Sequence, residues 1–498
     1  MPQLARGAAL LALALVPAGR DAFRIEITVV DEATRKPLAC RLHVRDAAGK
    51  PVKPAGLPFW RDHFVCAGSA TLDLPAGEYS YEVEHGPEWS RASGTFTATV
   101  HKAEVGLKRL ADLKRGGWWS GDLHIHRALE EAELHASAED LHIAPVITWW
   151  NKTNLWASKP APAELLRRTA DGRFIFAMAG EDEREGGALL YFHLPRPVPI
   201  TAATREHPSP MTFLEEARRT PGAHVDIEKP FWWDVPVWAA SGKVDTIGLA
   251  NNHMCRGQMY ENEAWGRPRD ATRLPAPRGN GFWTQEIYYH LLDCGLRISP
   301  SAGSASGVLP NPVGYNRVFV HVGPELTWEG WWEGLRQGRS FVTNGPLLIV
   351  RANGRLPGSA FTSDGEIELK ASVTSNDPIS SVEIVRNGRV ERSISLAELE
   401  KTGSLGTLRF KSSGWFLVRC FAESDKTFRF ASTAPFYVET GDAKRRISRA
   451  SAKFFLDWVD ERRGRIKETD EKKRAEVLKF HDEARTFWAS LLEKANAD

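Results

Sequence analysis

From residue 113 to about residue 348, short apolar runs alternate with amphipathic segments, and this pattern constrains the fold more than any other feature. The apolar runs predict strands at residues 143–148, 174–179, 188–192, 246–250 and 318–322. The amphipathic segments predict helices at residues 128–139, 162–169, 212–219, 285–294 and 328–337. Such alternation predicts an α/β fold of parallel strands and crossover helices, with the active site at the carboxyl ends of the strands.

Two regions that flank this part of the chain are rich in predicted strands. Residues 22–112 and 349–440 carry short apolar–polar alternations separated by turns, which is typical of β-sandwiches. The first of them resembles the accessory sandwiches of secreted enzymes, which act as spacers or binding modules. From residue 441 to residue 498, apolar residues recur at helical spacing, which predicts a helical hairpin docked on the body.

The first 20 residues have the outline of a secretion signal. Arg6 supplies a positive charge, residues 8–16 form an apolar core, and Val16-Pro17-Ala18 offers a cleavage site of small residues. The apolar core is too short to span a bilayer, and no other apolar stretch approaches the required length. We therefore expect a secreted or periplasmic protein with no membrane span.

Composition limits the partners. A formal net charge of +2 gives no reason to expect nucleic acid as a partner. The five cysteines form no C-x-x-C pair, which excludes a zinc ribbon, although Cys40 and Cys66 could form a disulfide in an oxidising compartment. The 18 tryptophans include several adjacent pairs, which favours an aromatic-walled cleft for a small-molecule or saccharide substrate.

The stretch GDLHIH, residues 121–126, predicts a metal site. Residues two apart in a strand point to the same face, so His124 and His126 would present two imidazoles to one metal ion. Asp122 would lie on that face too, where it could bind the metal or orient a ligand.

Other potential ligands follow apolar runs, where the functional residues of βα folds collect. They are Glu181, Glu183, His193, His224, Asp226 and His253.

Four stretches carry a more specific resemblance. They are GDLHIH, GNGFWTQEIYYHLLDCGLRISPSAGSASG, GYNRVFVHV and EGWWEGLRQGRSFVTNGPLL, which together span about residues 113–358. This region resembles the polymerase-and-histidinol-phosphatase (PHP) metallohydrolases, and among them the CehA/McbA family. The resemblance implies a distorted (β/α)₇ barrel that binds one to three divalent metal ions.

The motifs match only in part. His124 and His126 match the first motif, Glu181 falls at the expected bridging glutamate, and His224 falls where an Ala-His-Pro-like histidine is expected. Residues 148–151 read Thr-Trp-Trp-Asn in place of Thr-Asp-His-Asn, and the expected Gly-His and Ser-Asp pairs read Gly187-Ala188 and Ser304-Ala305.

The resemblance therefore implies a reduced ligand set and a single metal ion. That set is His124, His126, Glu181, His224 and His253. Imidazole and carboxylate ligands suit Zn²⁺ best, with Mn²⁺ and Fe²⁺ as alternatives.

Two functions remain open at this point. The first is a hydrolase in which the metal activates a water molecule toward an ester, amide, carbamate or phosphate bond. Asp226, Glu183 and His193 are then alternative proton-handling groups. The second is a non-catalytic secreted binding protein that keeps the PHP-like fold.

Overall fold

The computed structural model describes residues 22–99, 101–362, 365–441 and 445–498. The predicted secretion signal, residues 1–20, lies outside the described residues. Within them, no helix combines the length and apolar character needed to cross a bilayer.

The amino-terminal region consists of two sheets that face each other across a core of their own. Its strands are β1 (Ala22–Asp31), β2 (Cys40–Asp46), β3 (Phe59–Trp60), β4 (His63–Cys66), β5 (Ser69–Pro75), β6 (Glu78–Glu84), β7 (Ala92–Thr97) and β8 (Lys102–Leu107). The sheet orders are β5-β1-β8 and β3-β4-β2-β6-β7. Alternate residues such as Ile25, Leu42 and Val83 fill the space between the sheets, as period-two patterning requires. Cys40 and Cys66 are opposite each other as free thiols, with their sulfurs 3.7 Å apart.

The central region alternates strands and helices. Its strands are β9 (Trp118–Gly121), β10 (Ile143–Trp150), β11 (Thr153–Asn154), β12 (Leu166–Arg168), β13 (Phe174–Arg184), β14 (Gly187–Phe192), β15 (His224–Ile227), β16 (Thr246–Ala250), β17 (Ser299–Ala302), β18 (Arg317–His321) and β19 (Ser340–Thr343). Its helices are α1 (Ala132–Ala138), α2 (Pro210–Ala217), α3 (Val235–Ala240), α4 (Gly279–Asp293) and α5 (Trp328–Arg336). The prediction of a mixed α/β fold is confirmed.

The strands of this region are only partly parallel. Strands β9, β10 and β13 pair in parallel, and so do β15, β16 and β17. Strand β14 runs antiparallel to both β13 and β15, and β18 runs antiparallel to β9 and β19. The prediction of a parallel arrangement is wrong for β14 and β18. For β14 the reason is that only two residues separate it from β13, whereas a parallel crossover needs about a dozen.

Two helix predictions also differ from the structure. Residues 162–169 were expected to be helical, but Leu166–Arg168 is strand β12, since its backbone pairs with the edge of β13. Helix α4 begins at Gly279, six residues before the predicted start. Gly281 lies in the first turn of this helix although glycine has a low helix propensity. A side chain would not fit there, because a β-carbon would lie 2.4 Å from the ring of Phe428.

The second β-rich region continues the central sheet. Its strands are β20 (Leu347–Ala352), β21 (Ala360–Phe361), β22 (Glu366–Thr374), β23 (Ile379–Arg386), β24 (Arg389–Ile394), β25 (Ser404–Arg409), β26 (Gly414–Ala422), β27 (Phe430–Thr433) and β28 (Phe436–Val438), with helix α6 at Leu396–Thr402. Strand β27 pairs with β19, and β20, β22 and β25 form a separate sheet. Trp118, Phe319 and Phe341 of the central region share a core with this one.

The chain ends in two helices, α7 (Arg449–Arg465) and α8 (Glu471–Glu493), which pack against each other and against α3. Trp458 and Trp488 are fully buried there. Arg462 is buried as well, and its guanidinium bonds to Asp234 and Glu206. A buried ion pair of this kind fixes the position of α7 on the body.

We expect Arg462→Met to lower the free energy of unfolding by about 3–5 kcal/mol, because it leaves two buried carboxylates without their cation. Urea denaturation followed by circular dichroism measures the change. Lys453→Met, which removes an exposed pair with Asp457 on the same helix, should change it by less than about 1 kcal/mol. Equal effects of the two substitutions would show that the buried pair does not hold the helix.

Candidate metal centre

Three potential ligand atoms from two parts of the chain meet in the interior. His124 Nε2 lies 3.0 Å from His126 Nε2, and Glu181 Oε2 lies 3.4 and 3.2 Å from the two nitrogens. Ligands held at zinc distances in a tetrahedron are separated by about 3.3–3.4 Å. The predicted histidine pair and Glu181 therefore come together, at separations close to those of three ligands of one metal ion.

The segment that carries the two histidines runs between two strands. After β9, its backbone hydrogen-bonds to the end of β17 and the residues beyond it on one side, and to β10 on the other. These bonds are Leu123 N–H to Ala302 O (3.0 Å), His126 N–H to Ser306 O (2.8 Å) and Ile147 N–H to Ile125 O (2.8 Å). Extended backbone held on both sides places His124 and His126 on one face.

Asp122 holds this segment and is not a ligand. Its Oδ1 accepts the backbone N–H groups of His124 and Ser304, each at 3.0 Å, and its Oδ2 accepts that of Gly314 at 2.7 Å. The carboxylate is completely buried. Because both oxygens accept from backbone N–H groups, Asp122 positions the segment that carries the histidines, which is one of the two roles that its spacing allowed.

Two glycines let neighbouring backbone approach the histidines. A β-carbon on Gly303 would lie 2.5 Å from the β-carbon of His124. One on Gly307, whose φ is +102°, would lie 2.6 Å from the carbonyl oxygen of His126. No side chain fits at either place.

Glu181 comes from β13, in which three consecutive acidic side chains point alternately to the two faces of the strand. Glu181 and Glu183 are two apart and share a face, whereas Asp182 points the other way and pairs with Arg184. Glu183 lines a groove beside the centre. Burial and the neighbouring Glu181 raise the pKa of Glu183 to about 7.

Glu228 and Lys229, which the sequence did not single out, complete the surroundings of His124. Glu228 Oε1 lies 3.4 Å from His124 Nδ1, the ring nitrogen that faces away from the ligand triangle. Its Oε2 accepts from the Lys229 ammonium and from the indole N–H of Trp232 at 2.9 Å. The sequence could have pointed to this charged pair, because it directly follows the short buried strand β15.

The charges in the centre are mutually dependent. Burial alone would lower the pKa of His124, but Glu181 and Glu228 outweigh it and raise that pKa to about 10. Burial opposes ionisation of both carboxylates, yet His124 lowers the pKa of Glu181 and Lys229 lowers that of Glu228. For His126, burial prevails and the pKa is lowered. The site thus presents two ionised carboxylates that require positive charge beside them.

His224 and His253 lie outside the ligand triangle. His224 starts β15, where its Nε2 contacts Thr246 Oγ1 at 2.9 Å and its ring packs against Trp332. His253 packs between the rings of Phe231 and Tyr260. The structure therefore does not bring these two predicted ligands together with the other three.

The remaining proton-handling candidates are bound elsewhere. Asp226 is buried and accepts from the hydroxyls of Thr246 and Ser301. His193 bonds to the carbonyl of Gly222 at 2.9 Å and packs on Trp332. Of the three alternatives, only Glu183 borders both the groove and the ligand triangle.

A second group of potential ligands, in the amino-terminal region, has a different chemistry. Asp62 faces His43 Nδ1 at 3.2 Å and His63 Nδ1 at 3.0 Å. Arg41 donates to His43 Nε2 at 3.1 Å, so the proton of His43 is on Nδ1, where a metal would have to bind. Arg45 also pairs with Asp62 at 2.8 Å. Two guanidiniums and a protonated Nδ1 make this group a hydrogen-bonded cluster that does not suit a cation.

A groove of about 840 Å³ opens beside the ligand triangle. Trp150, Glu183 and Trp265 are among the residues that line it, and the ring of Trp150 packs against that of His126 at 4.9 Å between centroids. Trp265 is 41% exposed. It stacks on Trp232 at 5.4 Å. An exposed indole on a fixed support is a surface onto which a flat ring can pack.

Comparison with known proteins adds no assignment: no protein-family model matches the chain, and neither a curated protein nor a solved structure resembles it significantly.

We expect His124→Ala to abolish binding of Zn²⁺ by the purified protein, because it removes one of three ligands. Elemental analysis after dialysis measures the metal content. His43→Ala, in the hydrogen-bonded cluster, should leave the content unchanged. Metal retained by His124→Ala and lost from His43→Ala would show that the metal site lies in the amino-terminal region.

Gly303→Ala should weaken metal binding by about tenfold or more while leaving all ligands in place, because the added methyl displaces His124. Gly257→Ala, at a glycine with open space around it, is the matched control. Zinc titration against a chelating dye gives both affinities, and unaltered binding by Gly303→Ala would contradict the tight approach described above.

Proposed function

We propose that the protein is an exported, metal-dependent hydrolase with a single metal ion, related to the PHP metallohydrolases of the CehA/McbA type. The observation that carries the proposal is the triangle of His124 Nε2, His126 Nε2 and Glu181 Oε2, with edges of 3.0–3.4 Å. Three protein ligands leave a fourth tetrahedral position free, which is typical of catalytic rather than structural zinc.

The burial of these atoms supports a cation among them. Two imidazole nitrogens 3.0 Å apart repel each other unless a proton or a cation lies between them. Glu181 Oε2 accepts no hydrogen bond of good geometry within the described chain, whereas His124 Nδ1 faces Glu228 Oε1 at 3.4 Å. Unpaired buried polar groups are costly, and a metal ion would satisfy the carboxylate while Glu228 serves the second nitrogen.

Each side chain has a distinct part in the proposed reaction. A divalent ion bound there would polarise the scissile group and lower the pKa of a water molecule. His124, His126 and Glu181 hold the ion, and Glu228 orients His124. Glu183, on the same face of β13 as Glu181, gives or takes a proton at its carboxylate. Trp150 excludes solvent beside His126.

The proposal extends to the fold and the location. The segment 122–126 hydrogen-bonds toward both β10 and the end of β17, which supports a distorted (β/α)₇ barrel of the PHP type in which the first and last strands meet. The antiparallel β14 would be its main departure from regular barrel geometry. Export rests on residues 1–20 of the sequence alone.

The groove favours a flat or sugar-like small substrate. Trp150 and Trp265 offer ring surfaces along its wall, and Glu183 lines it too. The bond remains one of the four classes that metal-activated water attacks: ester, amide, carbamate or phosphate.

A panel of chromogenic esters, amides, carbamates and phosphate esters tests the function. We expect turnover of at least one class, its loss on chelation and its return with Zn²⁺. Glu183→Gln should lower kcat by about 100-fold or more while metal content stays at one equivalent. Glu133→Gln, at an exposed pair with Arg167, should keep full activity.

Turnover that survives both chelation and His124→Ala would contradict the proposed chemistry. Ligand binding in the groove that is independent of metal, with no turnover of any class, would instead favour the secreted binding protein.

A further inference from the structure

Two cysteine side chains face each other inside the amino-terminal region. Cys40 on β2 and Cys66 on β4 are directly opposite residues of an antiparallel pair, and their sulfurs are 3.7 Å apart. Directly opposite residues of such a pair have Cα atoms about 4.5 or 5.5 Å apart. A disulfide needs Cα atoms about 4.4–6.8 Å apart, so the two strands already have the spacing that the bond requires.

The two thiols have each other as their cysteine partner. Both are buried in the core between the two sheets of the region. The other three cysteines are buried free thiols in different elements: Cys255 follows β16, Cys294 ends α4 and Cys420 lies in β26. Among the described residues, Cys40 and Cys66 form the one pair of cysteine sulfurs within 4 Å of each other.

We infer that Cys40 and Cys66 are joined by a disulfide bond when the protein folds in an oxidising environment. The oxidant is a disulfide, such as oxidised glutathione, and the reaction is thiol–disulfide exchange. One cysteine thiolate attacks the oxidant and displaces one thiol, and the second cysteine thiolate then attacks the mixed disulfide and displaces the other. The two cysteines give up two electrons and two protons, and the oxidant leaves as two thiols.

Burial decides when the exchange takes place. A buried thiol is inaccessible to a soluble oxidant. The bond therefore forms while β2 and β4 are still open to solvent, and the folded region then protects it from reduction. This inference does not rest on the proposed function, because it requires an oxidant and no metal ion.

The loop that the bond closes reaches the neighbourhood of the metal centre. Strand β3 lies within this loop, and the indole N–H of its Trp60 donates to Leu309 O at 2.7 Å. The guanidinium of Arg127, the residue after His126, lies over the ring of Trp60 at 5.4 Å from its centroid. Because the bond ties both ends of the loop together, it limits how far this contact can open.

Counting thiols in the full chain tests the inference. The purified protein is kept with oxidised glutathione in urea below the unfolding midpoint, so that the strands open transiently. It is then unfolded in guanidinium with iodoacetamide and weighed. Of the five cysteines, the two in the bond should be protected, so we expect three to be alkylated and a linked peptide that contains Cys40 and Cys66. Alkylation of all five, or a bond between other cysteines, would overturn the inference.

Two variants with four cysteines each give a matched comparison. Cys40→Ser removes one member of the pair, so all four remaining thiols should be alkylated. Cys294→Ser removes a buried thiol outside the pair, so two should be alkylated. Equal numbers from the two variants would overturn the inference, and the linked peptide of the unaltered protein tests it even where a variant does not fold.

Thermal unfolding gives a second measurement. A disulfide restricts the unfolded chain, so dithiothreitol should lower the Tm of the oxidised protein by about 5 °C or more. The Tm of Cys40→Ser should not respond to dithiothreitol. An equal response of the two proteins would contradict the bond.

Discussion

The candidate metal centre depends on the negative charge of two buried carboxylates, Glu181 and Glu228, on either side of His124. A carboxylate removed from water needs a cation or several hydrogen bonds, because otherwise it takes up a proton. Glu228 has Lys229, whereas Glu181 has only the two imidazoles. This asymmetry gives the pair two functions: Glu228 is committed to orienting His124, and Glu181 remains available to a metal ion.

The same rule governs how the regions of the chain are joined. Arg41 of the amino-terminal region is buried between Glu84 and Glu139, and Arg317 of the central region approaches Glu139 at 3.7 Å. Asp377 of the second β-rich region pairs with Arg91 at 3.2 Å. These ion pairs join the amino-terminal region to both the central region and the second β-rich region.

Local periodicity is what made part of the site predictable. Residues two apart share a face in any extended segment, so the proximity of His124 and His126 could be predicted although the regular strand ends at Gly121. Glu181 was found because it follows an apolar run. The mixed α/β fold was predicted because the same alternation extends over more than 200 residues.

The rest of the site depends on contacts between distant residues, which local periodicity does not encode. Asp122 carries the spacing of a ligand, yet its carboxylate binds the backbone of Ser304 and Gly314, far along the chain. His224 lies at the beginning of strand β15, whereas Glu228 follows the end of that strand, where the functional residues of βα folds collect. A shift of four residues along one strand therefore separates a core histidine from a functional carboxylate.

The most direct test of the central claim is anomalous diffraction at the zinc absorption edge from crystals of the zinc-loaded protein. We expect one strong peak about 2.0–2.2 Å from His124 Nε2, His126 Nε2 and Glu181 Oε2, with the fourth position open toward the groove. A peak at His43 and His63, or no peak near Glu181 in crystals that contain stoichiometric zinc, would contradict it.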